Sequence, residues 1–418
     1  MDLREYVVGK AVEAREGARQ LAKASGQVKK AVLVAMAAAI RGNSAGIISE
    51  NARDVAAARQ KGLSDAMIDR LTLNDKRIEE MAVGLLEVSE LKDPVGEVSN
   101  LQRRPNDMMV GRMRVPIGVV CIIYESRPNV TADAAGLCLM AGNAVILKGG
   151  SEAIHSNMVI VSLLRQVLTA EGLNPGAVTF IDNTQRAAVM ELVKLEGLID
   201  LIIPRGGEGL IRSVTENSRI PVLKHYKGVC HVFVDAHADL KMAQDICFNA
   251  KVQRPGTCNA METMLVDSAV AGEFLPPMVE RFINASVELL GCPRTVGLTP
   301  QVKPLSEQDY YNEYLTLKLN IRIVDTLDEA IGHIATYSSN HTDAIVTDNY
   351  QRAMRFLREV DSATVLVNAS TRLNDGGQFG LGAEIGISTD KIHARGPMAI
   401  EELTCNKFIV LGNGQLRT

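Results

Sequence analysis

Gly118-Val119-Val120-Cys121-Ile122-Ile123-Tyr124 and, further on, Ala144-Val145-Ile146-Leu147 decide the fold. Each run is apolar, too short for a helix and rich in β-branched side chains, so each reads as a strand buried on both faces. Residues 178–181, 199–203 and 221–223 have the same texture, with helical stretches between the runs at 133–141, 151–170, 184–195 and 208–218. Strand and helix alternating at this spacing predict a parallel sheet covered on both faces. Such sheets take ligands at the carboxyl ends of their strands.

Upstream, residues 3–59 are Ala-rich with apolar positions at helical spacing, and Gly42-Asn43-Ser44 offers one break. A further helix over 75–91 closes at Lys92-Asp93-Pro94, after which polar residues 100–107 lead into Met108-Met109-Val110-Gly111-Arg112-Met113-Arg114-Val115, an exposed strand or hairpin. Downstream, a second alternation starts at His231-Val232-Phe233-Val234-Asp235. It runs through a helix at 240–249 and past Met264-Leu265-Val266 to Ile345-Val346-Thr347, a second α/β domain. The apolar strand at 405–411 has nothing after it to pair with and is expected on the sheet edge of another subunit.

With 418 residues, 46% of them apolar, two or more domains are expected. The 45 basic and 49 acidic side chains nearly cancel, which argues against a nucleic-acid-binding face and a polybasic membrane anchor but leaves room for a small anionic substrate. No apolar run reaches the roughly 20 residues of a membrane span, and Met1-Asp2-Leu3-Arg4-Glu5 lacks the layout of a secretory signal, so the cytoplasm is expected. Seven scattered cysteines indicate neither a disulfide framework nor a zinc site, and most are expected as buried small apolar residues.

One cysteine stands apart from those in apolar runs. Gln253-Arg254-Pro255-Gly256-Thr257-Cys258-Asn259 sets Cys258 on a polar turn between a helix and a strand, whereas Cys121, Cys138 and Cys247 lie inside apolar runs. That makes Cys258 a candidate nucleophile, with Arg254 able to favour its thiolate. Leu201-Ile202-Ile203-Pro204-Arg205-Gly206-Gly207-Glu208-Gly209 is a strand entering a glycine turn and a helix. It suits either the backbone approach of a pyrophosphate or a plain tight turn, and its spacing is not G-x-G-x-x-G. Leu147-Lys148-Gly149-Gly150-Ser151 has the same form, with Lys148 able to meet a ribose hydroxyl or a phosphate. Tyr124-Glu125-Ser126-Arg127-Pro128-Asn129 either lines a site or caps the next helix through Asn129 or Thr131. His333 and His341 have no ligand-type neighbour in sequence, so no metal is expected and they read as surface or turn-stabilising residues.

Taken in order, these pieces resemble the aldehyde dehydrogenase superfamily and, within it, the family of gamma-glutamyl phosphate reductases. The most specific stretch runs from Val324 through Ala330-Ile331-Gly332-His333-Ile334 to Tyr337-Ser338-Ser339-Asn340-His341-Thr342-Asp343-Ala344-Ile345. Glu125-Ser126-Arg127-Pro128, Leu147-Lys148-Gly149-Gly150 and Gly256-Thr257-Cys258-Asn259 add to it. The resemblance implies an aldehyde dehydrogenase-like α/β fold of two Rossmann-like domains: 1–101 with 116–226 for NADP, 227–403 for catalysis, and 102–115 with 404–418 as oligomerisation strands of a homo-oligomer. It places the nucleophile on Cys258 and cofactor contacts on Lys148, Ser151, Gly206, Gly207, Gly209 and Glu313. Ser151 stands where NAD-specific relatives carry an acid, so NADPH is the expected cofactor. The implied substrate is L-glutamyl 5-phosphate, reduced through a cysteine thioester, with Arg127, Arg254 and Asn259 as substrate contacts.

Two departures from the superfamily bear on direction. Oxidising relatives carry a glutamate that activates water, whereas the corresponding stretch here is Lys224-His225-Tyr226-Lys227, without a carboxylate. A reductase needs no such base, because its acyl-enzyme is discharged by hydride. Relatives also place an asparagine two residues before a proline; here Ser126 precedes Pro128, so Ser126, Arg127 or Asn129 donates to the oxyanion together with the Cys258 N–H, for roughly 3 kcal/mol. Two rival readings stand beside this one: an NAD-dependent semialdehyde dehydrogenase with hydrolytic deacylation, and a non-catalytic partner of the glutamate 5-kinase that makes the acyl phosphate. That kinase must be a separate protein, since the chain is too short to hold both.

Overall fold

The computed structural model describes residues 2–417. The chain divides into two compact units: one comprises the residues up to Lys224, Gly380–Gly386 and the segment from Met398, the other His225–Phe379 and Ile387–Pro397.

The first unit opens with five helices, α1 (Leu3–Leu21), α2 (Gly26–Gly42), α3 (Ser44–Gln60), α4 (Asp65–Leu71) and α5 (Asp75–Ser89). The expected break at Asn43 is present, and a second one precedes α2, where Ser25 Oγ accepts from Val28 N and caps the new helix. The antiparallel hairpin β1 (Val98–Arg103) and β2 (Met109–Pro116) follows. Then come β3 (Val119–Tyr124), α6 (Asn129–Met140), β4 (Ala144–Lys148), α7 (Ile154–Ala170), β5 (Val178–Phe180), α8 (Arg186–Leu192), β6 (Leu201–Arg205) and α9 (Glu208–Asn217). The sheet is parallel in the order β5-β4-β3-β6. On one face, Val119, Cys121, Ile123, Ile146 and Ile202 pack with Val7, Ala11 and Ala14 of α1.

Two local expectations are corrected. Residues 221–223 contribute one bridge, Ile202↔Val222, and no strand of their own, as befits a run opening on a proline without an N–H. α6 begins at Asn129, earlier than expected, and neither candidate cap serves as one: Asn129 Nδ2 donates to Asp133, while the buried Thr131 Oγ1 bonds Tyr124 and Asn157.

The second unit comprises β7 (Cys230–Val234), α10 (Leu240–Val252), β8 (Met261–Asp267), α11 (Ser268–Asn284), β9 (Glu288–Gly291), α12 (Pro293–Leu298), β10 (Lys303–Pro304), β11 (Lys318–Val324), α13 (Leu327–Tyr337), β12 (Thr342–Val346), α14 (Tyr350–Glu359) and β13 (Thr364–Val367). Its parallel sheet runs β10-β9-β11-β8-β7-β12-β13. Side-chain alternation sorts the two faces: Val232, Val234, Met264 and Val266 pack with Phe274 and Phe282 of α11, whereas Phe233, Leu265 and Ile345 pack with Ile334 and Phe356.

The last strand, β14 (Thr404–Leu411), has its partner in its own chain. It pairs antiparallel with β2 from Thr404↔Pro116 to Leu411↔Met109, giving a sheet β1-β2-β14 and correcting the expectation that it lacked one. Among the described residues no single helix is long and apolar enough to cross a membrane.

Candidate active site

The turn between α10 and β8 carries Arg254, Cys258 and Asn259. Cys258 is half-buried, whereas Cys121, Cys138, Cys230 and Cys247 are fully buried. Polar contacts hold the turn: Thr257 Oγ1 lies 2.9 Å from Arg254 O and 3.0 Å from Asn259 Oδ1, and Asn259 Nδ2 donates to Asn374 O at 2.9 Å. Arg372 donates to Gln253 Oε1 at 2.9 Å and also to Asn259 Oδ1. Both ends of the Asn259 amide are thus engaged within the protein. Burial and the charge of Arg254 hold Arg372 below the ordinary arginine range, with Cys258 acting in the opposite sense. Arg372 had no signal in the sequence, lying more than a hundred residues from the turn it braces.

Behind the turn, Lys251 Nζ and Glu262 Oε2 are 2.7 Å apart with both side chains fully buried. Burial pushes Glu262 up to about 7 and lowers Lys251. The pair ties the end of α10 to the start of β8, the two anchors of the Cys258 turn.

The backbone at Gly228 presses on the cysteine from the other side. A Cβ there would fall inside the Cys258 carbonyl oxygen and 2.6 Å from Cys258 Cα, so only glycine fits. Glu313 Oε1 accepts from Gly228 N at 2.9 Å, and Ser339 Oγ accepts from Val229 N at 2.9 Å. The stretch 337–345 therefore has a structural task. Ser339 holds the chain beside Gly228; Ser338 Oγ donates to Asp343 Oδ2 at 2.7 Å; and Asp343 Oδ1 meets His231 N and Nδ1 at 2.8 and 2.9 Å.

The histidines differ from expectation. His333 is 4% exposed and His341 fully buried, so neither is a surface residue. His333 Nδ1 lies 3.0 Å from the Arg322 guanidinium, which can only donate, and so accepts as a neutral ring. His341 meets His225 edge to face at 5.2 Å, and ligand-type atoms of His225, Cys258 and His341 all lie within 4.8 Å of one another. Cys258, Gly228 and His341 precede β8, β7 and β12, three adjacent parallel strands, so this cluster sits at their amino ends. The carboxyl-end expectation does not hold for it, because the cysteine lies on the turn entering a strand.

In the first unit the expected residues do follow the carboxyl ends of β3, β4 and β6. Lys148 is 5% exposed; its Nζ donates to Gly149 O at 2.7 Å, and burial lowers its pKa, opposed by Glu152. Ser151 is exposed at the start of a short 3-10 turn. Ser126 sits at φ +42°, and both its N–H and its hydroxyl donate to Glu152 Oε1, at 2.6 and 2.7 Å. Asn129 Nδ2 donates to Asp133 Oδ2 at 2.9 Å, and Arg127 is exposed. Gly206 and Gly207 lead into α9; a Cβ on Gly206 would lie 2.5 Å from Glu125 Oε2, the same oxygen that accepts from Gly207 N at 2.9 Å. At Gly209 a Cβ would meet nothing.

A sequence profile of the Aldehyde dehydrogenase family matches residues 4–310. The chain is 63% identical over 417 residues, covering all of both chains, to a protein of Thermodesulfovibrio yellowstonii named gamma-glutamyl phosphate reductase. It is 56% identical over 418 residues, again covering all of both, to one of the same name from Desulfatibacillum aliphaticivorans. The crystal structure of gamma-glutamyl phosphate reductase from Thermotoga maritima superposes with a TM-score of 0.97 at 47% identity, covering 99% of this chain and 100% of the other. The chain belongs to the aldehyde dehydrogenase family and, within it, to the gamma-glutamyl phosphate reductases.

Proposed function

We propose that the chain reduces L-glutamyl 5-phosphate to L-glutamate 5-semialdehyde and phosphate, a step of L-proline biosynthesis, through a thioester on Cys258. The full-length likeness to proteins named gamma-glutamyl phosphate reductase carries this reading. In support of it, Cys258 is a half-buried cysteine on a turn braced by Gly228, Lys251–Glu262 and Arg372.

The Cys258 thiolate attacks the acyl carbon; a C–S bond forms, the C–O bond to phosphate breaks, and phosphate leaves with the electron pair. Arg254 and Arg127 are assigned to the anionic ends of the substrate, since a guanidinium pairs in bidentate fashion with phosphate and carboxylate alike. The Cys258 N–H and a donor from Ser126 or Asn129 steady the oxyanion, and either side chain must first leave its present carboxylate, Glu152 or Asp133. NADPH, when bound, supplies the hydride that brings the thioester to the aldehyde level. The sulfur of Cys258 is then expelled as thiolate and the semialdehyde is released.

The first unit fits such a cofactor. The buried Lys148 is assigned to a ribose, the uncharged Ser151 to a 2'-phosphate, and the side-chain-free Gly206, Gly207 and Gly209 turn to a pyrophosphate; Glu313, a residue of the second unit whose Oε1 now holds the Gly228 N–H, is assigned to the remaining ribose. A pyrophosphate taking the Gly207 N–H displaces Glu125 from it. The β1-β2-β14 sheet is assigned to contact between copies of the chain: all of β1 and most of β14 are exposed, including Phe408, Val410 and Leu411.

The test is Cys258→Ala, which abolishes both NADPH oxidation with the acyl phosphate and phosphate-dependent oxidation of the semialdehyde. Either rate surviving above a trace removes the covalent route, and semialdehyde oxidation that ignores phosphate favours the hydrolytic alternative.

A further inference from the structure

We propose that His225, Cys258 and His341 form a binding site for a thiophilic divalent cation such as Zn²⁺, which reversibly seals the Cys258 sulfur. Each residue offers one ligand atom, and the three lie within 4.8 Å of one another. Tetrahedral zinc bonds of about 2.3 Å to sulfur and about 2.0 Å to nitrogen put ligand atoms roughly 3.3–3.5 Å apart, so side-chain rotation must close the cluster by at most about 1.5 Å at its widest.

The outer shell agrees. His225 Nδ1 lies 2.7 Å from Ile387 O, a carbonyl that can only accept, so Nδ1 carries the proton and Nε2 keeps its lone pair for a metal. His341 Nδ1 lies 2.7 Å from Thr342 Oγ1, which fixes that ring beside β12. Histidine ligands oriented by an oxygen on one nitrogen are the usual arrangement at metal centres. All three residues belong to the second unit, and His225 and Cys258 are partly exposed, so an ion can reach them. Three protein ligands leave a fourth position for water, the open form of a zinc site. Binding exchanges the thiol proton for the ion and involves no change in oxidation state. The cationic Arg372 nearby opposes the dication and keeps the affinity below that of closed four-cysteine sites.

The cluster exists whatever reaction Cys258 performs, so its test uses metal binding and thiol labelling. Purified full-length protein is alkylated with iodoacetamide over a Zn²⁺ titration, and labelling is read peptide by peptide by mass spectrometry, with the exposed Cys405 as reference. Zn²⁺ is expected to slow labelling of Cys258 at least about tenfold, with Cys405 unaffected and Mg²⁺, a hard cation, without effect. His225→Gln and His341→Asn each shift the protecting Zn²⁺ concentration upward by about tenfold or more. Should a variant fail to fold, Co²⁺ added to the parent reads the site directly: a sulfur-to-cobalt charge-transfer band lost in Cys258→Ser supports it. Equal protection of Cys258 and Cys405, parent-like protection in folded histidine variants, or no sulfur band with Co²⁺ overturns the proposal. If the site holds and the proposed function is right, Zn²⁺ inhibits the reductase and a chelator restores it.

Discussion

Gly228→Ala tests the idea that the nucleophile is set by backbone packing. The added Cβ would stand 1.8 Å from Cys258 O and 2.6 Å from Cys258 Cα, whereas unstrained contacts lie near 3.5 Å, so the cysteine turn or the 228–230 segment must move by roughly 1.5 Å. Neither yields easily. The turn is anchored by the buried Lys251–Glu262 pair, and the segment by Glu313 and Ser339 on consecutive N–H groups. Misplacing a reacting group by 1 Å costs on the order of 100-fold, or about 2.7 kcal/mol of transition-state stabilisation. The expected result is therefore a kcat/KM reduced by at least about 100-fold, together with slower alkylation of Cys258, in a protein that still melts cooperatively. Stopped-flow NADPH oxidation, iodoacetamide kinetics and thermal denaturation supply the three readouts. A Gly228→Ala protein within twofold of the parent in both kinetic measurements would show that the close approach does not position the sulfur.

Ser151→Glu is expected to raise KM for NADPH about tenfold, through roughly 1.5 kcal/mol of repulsion at the 2'-phosphate, and to leave KM for NADH nearly unchanged; equal effects on both in steady-state assays would mean that Ser151 is not near that phosphate. His333 offers a pH test. Burial, then His231, then Arg322 push it down to about 2 from 6.5, so between those values the unfolded chain binds a proton that the fold does not. Stability is complete above pH 6.5 and falls as pH drops, by on the order of 2–3 kcal/mol at pH 4.5 from this group alone. Urea denaturation at pH 7.5 and 4.5 should show a smaller pH-dependent loss in His333→Gln, and an unchanged loss would refute the assignment.

The parallel sheet of the first unit was legible because strands buried on both faces are uniformly apolar: Val119–Tyr124, Ala144–Lys148 and Leu201–Arg205 stand out against their helices. Residues 221–223 share that composition yet form only a bridge, since apolarity reports burial and not pairing. Cys258 could be singled out because its polar, glycine-containing turn contrasts with the apolar settings of Cys121, Cys138 and Cys247. Its surroundings could not. Gly228, His341 and Arg372 come from three other segments that meet the turn only once the strands are ordered, and the adjacency of β8, β7 and β12 is a property of topology, not of local pattern. Likewise nothing local to Ser126 reveals that Glu152 takes both its protons.

The pairing of β14 with β2 joins segments separated by residues 117–224 of the first unit and by the whole of the second, which is inserted in the sequence of the first. At translation rates of about 5–20 residues per second, β2 emerges from the ribosome some 15–60 s before its partner strand. Throughout that interval the nascent hairpin displays an unsatisfied row of peptide groups, so neighbouring polysomes can cross-link through it or a holdase can shield it. Slowing synthesis between residues 120 and 400 would lengthen this vulnerable period, and the yield of native protein should fall with it.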